Sequence, residues 1–382
     1  MKIFSDYFFC KRFFLICLLI FPLFGCFRQS PRIIKPIAPK NVVLLICDGA
    51  GLSQISSAYF YKNNPVNYSR FKNIGLIHVN SSDQLITDSA ASGTAFATGH
   101  KTYNTAIGVS DEKVDLENLV EIASQSGVNC GIVTTSSITH ATPASFFAHV
   151  SSRYLEEEIA MQLADSEVDF FAGGGLNFFV NRSDNLNVID KLISNGFCIN
   201  TNALDEFKTI KKNDKQAYIL APDGMPKLTH GRGSFLEKAT ILGINFLHKG
   251  DNPFFIMSEG AQVDWAGHDN DSDYLVSEMI DFDNTIGSVL DFAELDGETL
   301  VIVTADHETG GFTLSGKKRV NSQGEIYEDY KEIEPTFSAK GHSATLIPIF
   351  AFGPGSQEFN GIYHNNEVFH KILKLTSWHS AN

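Results

Sequence analysis

Six short runs dominated by apolar and β-branched residues, at 42–47, 131–135, 168–171, 254–257, 300–304 and 347–352, constrain this chain most. A strand without a polar alternation has to be covered on both faces, the condition inside a parallel sheet. Helical patterns lie between the runs, so strand and helix alternate along the body. The expected fold is α/β, a three-layer α/β/α sandwich around a doubly wound, mainly parallel central sheet.

Two of the intervening patterns are specific. Ser234 and Glu237 have capping-box spacing, and Gly250 is placed to stop the helix they begin. From 273 to 292, Leu275, Met279, Phe282, Ile286 and Val289 recur at helical spacing, and Glu278, Asp281 and Asp283 read as its solvated face.

In a doubly wound sheet, sites form beyond the carboxyl ends of the strands. Here those ends carry chemistry. Run 42–47 leads to Asp48-Gly49, run 254–257 to Glu259-Gly260, run 300–304 to Asp306-His307, and run 131–135 to His140-Ala141-Thr142. Acids gathered at one edge repel and resist ionising. Metal ions resolve that conflict. Three pieces have ligand character: Glu259-x4-Asp264-x3-His268, Asp306-His307, and His342 in Gly341-His342-Ser343. Asp with His suits zinc, and carboxylate with hydroxyl suits magnesium. Each piece alone is weak, since a lone Asp-Gly or Asp-His is usually a turn. Their joint occurrence at strand ends carries the weight.

The N-terminus reads as a targeting segment. Lys2, Lys11 and Arg12 precede an apolar run to Phe24, and Leu23-Phe24-Gly25-Cys26 follows the pattern of a lipoprotein cleavage site. Residues 1–25 are expected to be a signal peptide, Cys26 the lipidated residue, 26–40 a proline-bearing tether and 41–382 the catalytic domain. The chain is then exported and lipid-anchored on the periplasmic or cell-surface side of a membrane. Cys47 and Cys130 sit in apolar runs and read as buried small residues, with no disulfide framework. A net charge of −14 disfavours general nucleic-acid binding, which needs clustered Lys and Arg.

Four stretches together resemble the alkaline phosphatase family. They are L-L-I-C-D-G-A-G-L at 44–52, T-D-S-A-A-S-G-T-A-F-A-T-G-H-K-T-Y-N at 87–104, H-A-T-P-A-S-F-F-A-H-V-S-S-R at 140–153, and the E-x4-D-x3-H, T-A-D-H and G-H segments. The resemblance runs from about residue 41 to about residue 355.

The resemblance implies hydrolysis of phosphate monoesters through a covalent phosphoserine at Ser89, with two zinc ions and one magnesium ion. It implies that Asp264, His268 and His342 hold the first zinc. Asp48, Asp306 and His307, joined by the Ser89 oxygen, would hold the second. Asp48, Thr142 and Glu259 would serve the magnesium. Arg153 would grip the phosphoryl oxygens, a task that suits a planar guanidinium. Asp88 reads as the holder of Arg153 rather than as a helix cap. His140 and Trp265 would stand near the phosphate, His140 bringing one negative charge fewer to the magnesium surroundings than the Asp some relatives have there. Relatives are commonly dimers, so the resemblance is compatible with a homodimer without choosing between dimer and monomer. Phosphodiesterases and sulfatases share the metal plan, but the C-x-P-x-R stretch of sulfatases is missing around Ser89.

Overall fold

The computed structural model describes residues 38–209 and 215–379. The expected signal peptide, Cys26 and nearly all of the tether lie outside the described residues. Among the described residues, no helix is long and apolar enough to cross a membrane.

The strands are β1 (Asn41–Cys47), β2 (Asn73–His78), β3 (Asn129–Ser137), β4 (Phe170–Gly174), β5 (Phe197–Asn200), β6 (Lys215–Ile219), β7 (Phe254–Gly260) and β8 (Thr299–Thr304). They continue with β9 (Glu308–Thr309), β10 (Phe312–Val320), β11 (Ile326–Phe337), β12 (His342–Ser343), β13 (Ile347–Phe352) and β14 (Gly361–His364). Ten of them form one sheet in the order β14-β2-β13-β8-β1-β7-β3-β4-β6-β5. At its centre, β1 pairs in parallel with both β7 and β8. Every residue of β1, β7 and β8 is buried, which is why these runs show no alternation.

Helices cover both faces. One layer gathers around the long helix Ser272–Asp296, which touches Leu52–Tyr61, Phe235–Leu247 and Gln262–Asp269. The other gathers around Ser89–Thr98, with Leu119–Gln125, Ala141–Ala144 and Glu367–Thr376. The three-layer expectation is met, with one strand that departs from it. The run 347–352 is buried as expected, yet β13 lies antiparallel to both β8 and β2. Burial on both faces leaves an apolar run of either direction looking the same.

Local expectations fail where tertiary partners intervene. Ser234 is the N-cap of Phe235–Leu247 but makes no side-chain cap bond. Glu237 accepts instead from Ser288 Oγ at 2.6 Å. That helix ends at Leu247, with Gly250 three residues beyond and in the left-handed region. The acidic face of Ser272–Asp296 is not solvated. Glu278, Asp281 and Asp283 are all buried. Arg232 donates to Glu278 Oε1 at 3.2 Å and to Asp281 Oδ2 at 2.9 Å. Asp283 pairs with Lys62 and accepts from the backbone N–H of Asn67 at 2.9 Å and of Tyr68 at 3.2 Å. Periodicity finds the apolar face of such a helix but cannot see the loops that cover the opposite face.

Removing one partner of a buried ion cluster leaves uncompensated charge. Arg232→Met is therefore expected to destabilise the fold by about 3–5 kcal/mol. Urea unfolding followed by near-UV circular dichroism measures it, and a loss under about 0.5 kcal/mol would show the cluster to be dispensable.

Candidate active site

The register of the central strands brings the acids to one edge. Ile46 of β1 lies beside Glu259 of β7 on one side and Thr304 of β8 on the other. Asp48 and Asp306 therefore follow just beyond neighbouring strands. Gly49 makes the turn after β1 with φ +77°, and a Cβ there would come within 2.6 Å of Asp264 Cα. That bare backbone lets the helix Gln262–Asp269 bring Asp264 and His268 against the end of β1. The Gly49 N–H in turn donates to Asp306 Oδ1 at 3.1 Å.

Three donor groups result, each with candidate ligand atoms within 4.8 Å of one another: Asp264, His268 and His342; Asp48, Asp306 and His307; and Asp48, His140 and Glu259. Asp48 is common to the last two. The third group places His140 beside Asp48 and Glu259, a proximity that the sequence alone left loose. Thr142 is buried in the short helix directly after His140.

Hydrogen-bond accounting shows what these groups fit. Both oxygens of Asp48, Oδ2 of Asp306, Oε1 of Glu259 and Oγ1 of Thr142 are buried without a hydrogen bond. Ordinary folds leave few such orphans. Burial pushes the carboxyls of Asp48 and Asp306 up, each further affected by its charged neighbours, and raises Glu259 to about 7. Glu259 Oε2 takes hydrogen bonds from Thr134 and Ser136, so only its other oxygen is spare.

The histidines are set by their other nitrogens. His342 Nδ1 meets the carbonyl of Thr87 at 2.8 Å, and His268 Nδ1 meets the carbonyl of Lys340. A carbonyl only accepts, so each Nδ1 carries the proton and each Nε2 offers a lone pair. Those Nε2 atoms lie 3.2 Å apart, at 3.3 and 3.5 Å from Asp264 Oδ1. Thr309 Oγ1 donates to Asp264 Oδ1, so it has to accept from His307 Nδ1 at 3.2 Å. His307 Nε2 then faces Ser89 Oγ at 3.2 Å, Asp306 Oδ2 at 3.3 Å and Asp48 Oδ1 at 3.4 Å. Burial holds His307 well below its ordinary pKa, hence neutral. Convergent lone pairs without a proton between them fit divalent cations and fit little else.

Thr309 was not singled out from the sequence. The signal was there: in Asp306-His307-Glu308-Thr309, period-2 alternation places Thr309 on the side of His307.

Ser89 opens the helix Ser89–Thr98, buried at its N-terminus. Asp88 is the N-cap, its Oδ1 accepting from Ala91 N at 3.0 Å. Its Oδ2 accepts from Arg153 Nη1 and from Thr105 N, both at 3.1 Å. Reading Asp88 as holder rather than cap is corrected: one oxygen does each. Arg153 Nη2 lies 3.1 Å from His140 Nε2. Burial and the adjacent guanidinium lower His140 to about 3, so the imidazole is neutral and accepts from Arg153. Trp265 stands edge-on to His140 with ring centroids 6.0 Å apart, and its indole lies against Gly224.

A serine at a helix N-terminus, an arginine beside it, and carboxylate and imidazole donors behind it make the site of a metal-using α/β hydrolase. Comparison with known proteins makes the class particular. Residues 39–333 match the family model described as Alkaline phosphatase. Alkaline phosphatase 4 of Bacillus subtilis is 33% identical, over 88% of each chain. The structure of alkaline phosphatase from the Antarctic bacterium TAB5 is 57% identical, with TM-score 0.89, covering 91% of this chain and 100% of that one. A histidine-to-aspartate mutant of the TAB5 enzyme, with Mg bound in its M3 site, matches with TM-score 0.90 over the same shares. The chain belongs to the alkaline phosphatase family. Its activity is the hydrolysis of phosphate monoesters.

Asp88→Ala removes the cap and the tie to Arg153 together. It is expected to cost about 0.5–2 kcal/mol of stability and to weaken competitive inhibition by inorganic phosphate. Urea unfolding and phosphate inhibition constants read the two effects separately.

Proposed function

We propose that the chain works through a covalent phosphoserine at Ser89, with two zinc ions and one magnesium ion per chain. The carrying observation is that Ser89 Oγ lies against His307 Nε2, with Asp48 and Asp306 around the same nitrogen. Asp264, His268 and His342 would hold the first zinc. Asp48, Asp306 and His307 would hold the second. Asp48, Glu259 and Thr142 would hold magnesium, with His140 beside them. When bound, these ions neutralise phosphoryl charge, favour the ionised Ser89 oxygen and stabilise the leaving oxygen.

The protein groups do the rest. Arg153, oriented by Asp88, presents its guanidinium to two phosphoryl oxygens. The helix N-terminus adds a favourable field at Ser89 for negative charge. Ser89 Oγ releases its proton to solvent and bonds to phosphorus as the bond to the alcohol oxygen breaks, and the alkoxide is protonated by solvent. Water then attacks phosphorus from the vacated side. The Ser89–phosphorus bond breaks, inorganic phosphate leaves, and the Ser89 oxygen takes up a proton from solvent, to which the attacking water has released one. The transition state of such transfers is loose, so positioning and charge neutralisation are the main demands. Trp265 forms a neutral wall beside His140.

Residues 1–25 as an export signal and Cys26 as a lipid anchor are supported by the basic start, the apolar run and L-F-G-C. Pairing of two chains rests on the family resemblance alone.

Ser89→Ala is expected to lower kcat by more than about 10³-fold and to abolish labelling of the protein by radioactive phosphate at low pH. Wild-type turnover in that variant would overturn the mechanism. His140→Asp adds a carboxylate beside Asp48 and Glu259. It is expected to tighten magnesium binding by roughly tenfold or more. Metal content and magnesium activation, both unchanged, would refute the assignment of this cluster.

A further inference from the structure

Glu308 stands between two candidate ligands in the fold without being one. It follows His307 in sequence, and in the β9–β12 pair it lies opposite Ser343, which follows His342. The carboxylate is buried, and among the described residues it makes no ion pair. Neutral donors from three directions satisfy it. Oε1 accepts from Gln54 Nε2 at 2.7 Å and from the Phe312 N–H at 3.1 Å. Oε2 accepts from Ser343 Oγ.

Each direction leads to a ligand. Gln54 belongs to the helix Leu52–Tyr61, which begins four residues after Asp48, and its amide also donates to the Thr309 carbonyl at 3.0 Å. The backbone leaves room for this contact: a Cβ at Gly51 would fall 2.6 Å from Glu308 Cγ. Phe312 closes the turn that follows His307 and Thr309. Ser343 fixes the peptide after His342. One carboxylate thus ties together the segments that carry Asp48, Asp306 with His307, and His342. Bonds to an ionised acceptor are roughly twice as strong as neutral ones, and a carboxylate has lone pairs enough for all three donors. A neutral amide at this position could not accept in both directions.

We infer that Glu308 is a positioning residue for metal binding, its buried carboxylate locking the His307 and His342 segments in register with each other and with the Asp48 loop through Gln54, Phe312 and Ser343. This rests on the metal reading given above. Partners that orient ligands typically change metal affinity or activity 10–100-fold when removed. A change in these ties should therefore show in metal affinity beyond any change in overall stability.

The test is the zinc affinity of purified full chains, measured by competition with a zinc chelator and by zinc content after dialysis, with thermal unfolding recorded alongside. Glu308→Gln and Ser343→Ala are each expected to need about 10–100-fold more free zinc for half-occupancy, with activity recovering as zinc is raised. Ser343→Thr, which keeps the hydroxyl, is expected to bind as wild type does. Ser343 is only half-buried, so Ser343→Ala carries the test if Glu308→Gln fails to fold. Folded Glu308→Gln or Ser343→Ala with wild-type zinc affinity overturns the inference. A wild-type chain that takes up no zinc overturns the metal reading itself, and this inference with it.

Discussion

Three carboxylates meet at the carboxyl edge of the central strands, and the imidazole that faces two of them, His307, is neutral. Asp48, Glu259 and Asp306 are buried, and each keeps at least one oxygen without a hydrogen bond. Two like charges 4 Å apart interact by about 4 kcal/mol at an effective dielectric of 20. Such a cluster needs a strong framework and a counter-charge. The framework is the apolar body of β1, β7 and β8, where each fully buried Leu, Ile or Val side chain contributes about 1.5–3 kcal/mol. Divalent cations are the counter-charge that the spare oxygens and imidazole lone pairs fit.

The same constraint explains why the surrounding polar groups are so fully assigned. Three histidines aim Nε2 inward, and each has its proton fixed on the far side by an acceptor: Thr87 O, Lys340 O or Thr309 Oγ1. Thr309 has one hydroxyl proton and gives it to Asp264. That single choice fixes the tautomer of His307 and links the first donor group to the second. His307 and His342 stack with ring centroids 3.5 Å apart, so a shift of either ring moves the other.

The strand ends were legible because their signal is local: an apolar run followed at once by an acid, a glycine or a histidine. Asp48, Glu259, Asp306 and His307 are read in this way, Asp264, His268 and His342 by residue type and spacing, and the family resemblance sorts them into sites. What stayed hidden is what arrives from elsewhere in the chain. Glu278, Asp281 and Asp283 look solvated until Arg232 and the Lys62–Tyr68 stretch are known to lie over them. The direction of β13 depends on how the chain returns after the β10–β11 ribbon, which no pattern within 347–352 encodes. Asp88 reads as one thing or the other because a sequence does not show that a carboxylate has two oxygens with separate partners.

The helix that carries Ser89 illustrates how composition follows from position. All ten of its residues are buried, and none is charged. A helix covered all round has no solvent face on which to place charged residues. Its small side chains set its depth: a Cβ at Gly93 would come within 2.8 Å of Ser145 Oγ, and Ser92 Oγ donates to the Asp306 carbonyl at 2.9 Å. Larger residues at these positions would lift the helix away from the end of β8. Ser89 Oγ would then leave His307 Nε2, and Asp88 would lose its simultaneous hold on the helix start and on Arg153. The T-D-S-A-A-S-G-T-A stretch is therefore small because its helix has to reach the carboxylate cluster, and the serine is placed by that closeness as much as by its own chemistry.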